Sequence, residues 1–168
     1  LPSYFKTVVK RYIPSLNTAI VKPAAQNFDF NLRLKEFEPL TRFIPDLQIP
    51  DGAIINGKFA SSQNTATLNA FAKTLIYKGV KINNLILDQT TGAKALNVFI
   101  TSDRVDIADS LYIKNVNVAN ILHNDSLNLN VKLSDKDATN QLDLNGLIYF
   151  AKDSAALFSI LPSGVFIN

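Results

Sequence analysis

From residue 80 onward one apolar pattern is written three times at a spacing of 31. Val80, Ile82, Leu85, Leu87, Leu96, Val98 and Ile100 are followed 31 residues later by Leu111, Ile113, Val116, Val118, Leu127, Leu129 and Val131, all apolar. Another 31 residues lead to Leu142, Leu144, Leu147, Tyr149, Phe158, Ile160 and Pro162, of which six of seven are apolar or aromatic. A period of this size marks a stacked or solenoidal β architecture, because a single unit cannot bury its apolar side alone.

Within each copy the two-residue alternation slips by one, across Asn83-Asn84, Lys114-Asn115 and Asn145-Gly146. A slip would send the second half of the strand to the opposite face, and a β-bulge or kink restores it while bending the strand. Asn and Gly tolerate the backbone angles this needs. Polar turn signals at 89–92, 106–110, 123–126 and 134–137 separate the strands and predict an antiparallel meander. The expected fold class is mainly β: an elongated, curved antiparallel sheet, a β-taco or open groove, with short helices near the N-terminus. With no helical periodicity after about residue 46 to cover the apolar side, a two-layer sandwich or an open trough remains.

The N-terminal part reads differently. Phe5, Val8, Val9 and Tyr12 fall at i, i+3, i+4 and i+7 of a helix that Pro14 stops, a stripe that packs on the next element. Phe28, Phe30, Leu32 and Leu34 alternate with Asp29, Asn31, Arg33 and Lys35 as a strand with one apolar face. Pro39 to Ile44 reads as a short helix closed by Pro45. The expected organisation is a helical lead-in over 1–22, a strand plus short helix over 23–48, and a repetitive β segment over 49–168 continuous with them in one domain.

Charge and chemistry narrow the functions. Charged residues make up 18% of the 168, against about 25% in an ordinary soluble domain, and Asn, with 18 occurrences, takes their place. The net charge of +3 is scattered, so no nucleic-acid partner is expected. The chain has no Cys, which removes disulfides and thiolate metal sites. It opens on Leu1 without any Met, and we read it as a piece of a longer protein whose anchor or export signal lies upstream. His123, the single histidine, stands in an Asn-Asp turn without a second ligand or a nucleophile. Asp103, Asp106, Asp109, Asp135 and Asp137 read as solvated turn residues without the calcium-loop pattern. Gly52 and Gly57 flank no phosphate-binding motif. No catalytic residue, metal or cofactor is expected.

The run Asp51 to Phe59, the strand phrase Gly/Tyr-x-x-Ile-x-Asn-(Leu/Val)-x-(Leu/Val), the phrase Leu142-Asp143-Leu144-Asn145-Gly146 and the closing Ile160 to Asn168 resemble the TamB translocation and assembly module proteins, which belong with the AsmA-like proteins of Gram-negative envelopes. The similarity covers roughly residues 25 to 168 and is one of rhythm and phrasing. It implies a slice of a long periplasmic protein anchored in the inner membrane. It also implies an aliphatic groove for phospholipid and a partner outer-membrane barrel of the TamA/BamA type, engaged by other parts of the parent protein. On that reading acyl chains lie along Val80, Ile82, Leu85, Leu87, Leu96, Val98, Ile100, Leu111, Ile113, Val116, Val118, Leu127, Leu129, Val131, Leu142 and Leu144. The alternatives are a structural or adhesive β-solenoid with a closed core and a carbohydrate-active β-helix; the latter needs acidic residues on one face, whereas here they sit in turns. Unpaired sheet edges at both ends of the segment predict edge-to-edge association of copies.

Overall fold

The structure, a computed structural model, describes residues 10–15, 26–35, 44–60, 63, 65–135, 137, 139–152 and 155–167. Eleven strands form one open antiparallel sheet. They are β1 (Asn27–Leu34), β2 (Leu47–Gln48), β3 (Ala53–Ala60), β4 (Thr65–Tyr77), β5 (Val80–Thr91), β6 (Leu96–Ala108), β7 (Leu111–His123), β8 (Ser126–Ser134), β9 (Gln141–Phe150), β10 (Ala156–Ile160) and β11 (Gly164–Phe166). Spatial order follows the chain, β1-β3-β4-β5-β6-β7-β8-β9-β10, with the two-residue β2 on β4 and β11 on β9. This is the meander that the turn signals predict, with longer strands. β5 runs on to Thr91 and β6 to Ala108, which places Asp103 and Asp106 in strand β6 rather than in a turn.

No second layer lies on the sheet among the described residues. Their buried hydrophobic side chains are Tyr12, Ile13 and Ala72 alone. The chain leaves 11225 Å² accessible, against about 8,200 Å² for a compact monomer of this mass. Cohesion therefore comes from the backbone ladders and from cross-strand side-chain pairs.

Two of the three predicted slips are present. Asn84 (φ 51°) and Asn115 (φ 49°) occupy the left-handed region, 31 residues apart. The Asn84 amide donates to Asp103 Oδ2 at 2.7 Å and the Asn115 amide to Ser134 Oγ at 2.8 Å, in each case to a residue 19 positions on. The buried Ser102 hydroxyl donates to the Asn83 carbonyl at 2.7 Å and so serves an acceptor at the kink. The β4–β5 ladder passes over Lys73 and Asn84 with its register unchanged, and the β5–β6 ladder resumes at Ile86 and Thr101 in the same register. Neighbouring kinks thus stand opposite one another. They end at β8, where the β7–β8 register shifts by one residue between Lys114 and Asn117.

The third slip does not occur. Asn145 pairs with Asn130 and Gly146 with Leu129 in an uninterrupted ladder, so Leu144 and Leu147 lie on opposite faces. Gly146 serves a different need: a Cβ there would meet the Phe158 ring at 3.1 Å.

The helix expected over the opening residues is seen only at 10–12, and the Pro39 to Ile44 helix lies outside the described residues apart from Ile44. Residues 10–15 close one end of the sheet. Tyr12, 1 % exposed, donates its hydroxyl to the Gly92 carbonyl at 2.7 Å, and its own carbonyl accepts from Asp125 N at 2.9 Å. Ser15 N donates to Asp125 Oδ1 at 2.8 Å and Ser15 Oγ to the Phe150 carbonyl at 3.0 Å. The segment therefore ties the connections after β5, β7 and β9 together.

Two substitutions check these two devices. Asn84→Val forces a β-branched residue into the left-handed region and should cost about 1–3 kcal/mol in urea unfolding, whereas Asn84→Gly should stay close to the parent. Tyr12→Ala should cost about 3–5 kcal/mol, and Tyr12→Phe, which loses the bond to Gly92, about 1 kcal/mol.

Candidate binding site

The sixteen residues that the sequence assigns to the groove wall gather on one face, with one exception. The register sets Leu32, Ile55, Ala70, Leu87, Ile100, Val118, Val131 and Leu144 side by side on eight successive strands. At about 4.8 Å per strand this aliphatic rung is about 34 Å long. Toward the end closed by Tyr12, Leu96, Leu122, Leu127, Ile148 and Phe158 form a parallel rung. On the other side come Ala72 with Leu85, Ser102 with Val116, and Leu133 with Leu142. Beyond the kink, Leu75, Ile82, Val105 and Ile113 make a further aliphatic rung.

The left-handed Asn84 reverses the side-chain alternation of β5. Val80, Ile82, Leu85 and Leu87 are accordingly all half-buried, while Ile86 is exposed. Leu111 is the exception: it opens β7 beside a register shift and is 56 % exposed at the hairpin tip.

The wall is wider and less uniform than the pattern implies. It extends onto β1 and β3, where the rings of Phe28 and Phe59 stack at 5.1 Å and the Phe30 ring covers Gly57. These residues precede the repeat, so the period does not point to them. The rung through Val98 carries polar groups: Gln89 and Asn120 stand on either side of it, followed by Leu129 and Gly146. Gln89 was readable as part of a turn and Asn120 as outward; the register puts both inward.

The opposite face holds the asparagines. Asn31, Asn56, Asn69, Asp88, Phe99, Ala119, Asn130 and Asn145 form one rung, joined by cross-strand amide bonds. Asn31 donates to Asn56, Asn69 to Asp88 at 2.6 Å, and Asn130 to Asp143 at 2.7 Å and to Asn145 at 2.8 Å. This face is not wholly polar, since Ile54, Phe71 and Ile86 adjoin on β3, β4 and β5 and are exposed.

The carboxylates that the sequence leaves as solvated have specific partners. Hydrogen bonding from Arg104, 2.5 Å away, followed by that from Asn83, holds Asp106 below the usual carboxylate range, and the Arg104 guanidinium lies 4.0 Å over the Tyr112 ring. Asp143 is lowered first by the Asn130 amide and then by Lys132 at 3.2 Å. Asp135 is lowered to about 2, chiefly by the Thr139 hydroxyl at 2.7 Å and also by Asn140 at 2.6 Å. His123 closes β7 opposite Ser126, its Nε2 3.1 Å from the Asn128 amide. Among the described residues no group of three or more His, Cys, Asp or Glu side chains could hold a metal, and no helix is long and apolar enough to cross a membrane.

The hollows in the surface lie away from the middle of the wall. One of about 600 Å³ sits at the β1–β3–β4 corner between Phe28, Lys58 and Thr67, and one of about 140 Å³ sits on the asparagine side under Leu161. The wall is an open surface without an enclosed chamber there, which suits a ligand held by non-directional contact rather than by a set of polar anchors. Compared with known protein families, curated proteins and solved structures, the chain has no match.

The Asp135 geometry gives a pH dependence of known sign. A carboxyl whose pKa is depressed in the folded state stabilises the fold above its unfolded value of 3.8, and that contribution is lost as pH falls toward about 2. The excess in Tm of the parent over Asp135→Ala should therefore be largest at neutral pH and should close between pH 3.8 and about 2, as measured by thermal melts across that range.

Proposed function

We propose that this chain is a segment of a periplasm-spanning protein whose apolar sheet face carries phospholipid acyl chains between the inner and outer membranes and so supports outer-membrane assembly. What supports the reading is the aliphatic rung that crosses eight strands with no second layer over it among the described residues. Soluble monomers rarely leave contiguous apolar patches larger than a few hundred Å². An acyl chain of one leaflet is about 15 Å long, half of a ~30 Å hydrocarbon core, so the rung can hold chains end to end without polar recognition. The inner-membrane anchor and the outer-membrane barrel partner belong to other parts of the parent protein and rest on the family resemblance.

The wall contributes only a dry surface, so no single side chain is essential while a charge is prohibitive. Ile100, between Leu87 and Val118, is the most informative position because no polar neighbour in its rung can take up a charge. Native mass spectrometry of the purified chain should detect bound phospholipid. Ile100→Glu and Leu129→Arg should remove it, whereas Ile100→Ala should retain it. Undiminished lipid in both charged variants, or none in the parent, would favour the closed-core structural or adhesive reading.

A further inference from the structure

The two edges of the sheet are built differently. On β1 the apolar residues are interleaved with Asp29 and Arg33, and Lys58 pairs with Asp29 at 3.6 Å. Charges of this kind protect an edge from pairing with foreign strands. The other edge lacks them: residues 155–167 contain no charged side chain. Leu157, Phe158, Ile160, Val165 and Phe166 are there 57–67 % exposed. Pro162 interrupts this edge, yet the interruption is pinned. Leu161 N donates to the Asn145 carbonyl at 2.8 Å, Asn145 N to Ser163 Oγ at 3.0 Å, and the Asn145 amide to the Pro162 carbonyl at 3.0 Å. β10 and β11 are thereby held in line along β9, offset from one another by a one-residue bulge.

From these observations we infer that β10 and β11 form an interface with the same edge of a second copy of this chain, related by a two-fold axis perpendicular to the sheet. Strand direction excludes the simpler alternative. Every ladder from β1 to β10 is antiparallel, so β1 and β10 run the same way and a translated copy would place a parallel, charged β1 beside β10. The two-fold axis keeps the ladder antiparallel and both apolar walls on one side.

Face matching then selects the register. Phe158 and Val165 lie on the wall face, opposite Ile148 and Leu142, while Leu157 and Phe166 lie on the asparagine face, opposite Tyr149 and Gln141. Only pairings that join like faces bury these side chains together. The one that uses all of β10 and β11 sets Phe158 against the second copy's Val165, Leu157 against its Phe166, and Ser159 against its Gly164. The axis passes between Leu161 and Pro162, so the two bulges stand opposite each other, as the kinks of adjacent strands already do between β4, β5 and β6. This inference does not rest on lipid binding, because its readout is mass.

Sedimentation equilibrium of the 168-residue chain should give twice 18.5 kDa in the micromolar range. Directly opposed residues in an antiparallel pair are about 4.5–5.5 Å apart at Cα, within disulfide reach, and the chain has no cysteine of its own. Leu157→Cys combined with Phe166→Cys should therefore form a covalent dimer on oxidation, while each single variant stays at background. Leu157→Lys with Phe166→Lys, both at exposed positions away from the wall, should yield a monomer with unchanged circular dichroism and unchanged lipid retention. A parent that is monomeric throughout that range, a double-cysteine variant that does not cross-link, or a single variant that cross-links equally well would overturn the interface or its register.

Discussion

Everything in this molecule depends on one constraint: its strands are joined by backbone hydrogen bonds in a single layer, with almost no interior. In an ordinary domain burial of apolar side chains supplies the dominant stabilisation. Here the described core is Tyr12, Ile13 and Ala72, so order must come from ladder pairing and from neighbours within each rung. That explains why the kinks are so fully provided for. The carbonyl of Asn83 receives the Ser102 hydroxyl, and Asn84 and Asn115 each reach a side chain 19 residues on.

The same constraint separates the two faces. Aliphatic residues meeting strand by strand make a surface that repels water but recognises nothing in particular, which suits an apolar chain of variable identity. The asparagine rung on the other side gives cross-strand hydrogen bonds without fixed charge, so neighbouring strands gain contacts and avoid like-charge repulsion. The low charge and abundant Asn of the composition are thus properties of one rung and two kinks. At the margins the sheet closes one end with Tyr12, shields one edge with charge and leaves the other edge apolar.

Much of this was legible from residue order. The period of 31, the alternation and the slips at Asn84 and Asn115 all express the side-chain geometry of a strand, which is local and therefore visible in the sequence. The slip at Asn145-Gly146 misled because the same dipeptide answers two demands. A glycine can supply unusual backbone angles or it can make room, and here it makes room for Phe158. Asp103 and Asp106 were misplaced into a turn because strand ends depend on the partner strand and not on local polarity. Gln89 and Asn120 were missed as part of the wall because facing is set by register across strands.

By itself the sequence determined the strand rhythm, the two kinked positions and the separation of an apolar from a polar face, since each follows from how successive side chains leave an extended backbone. Only the tertiary structure decided that the sheet is one open layer rather than a sandwich. It also decided that Tyr12 closes one end, that the wall reaches back to Phe28 and Phe30, and that β10 and β11 form one uncharged edge. Those outcomes depend on which distant segments come to lie beside one another, and two-residue periodicity carries no information about that.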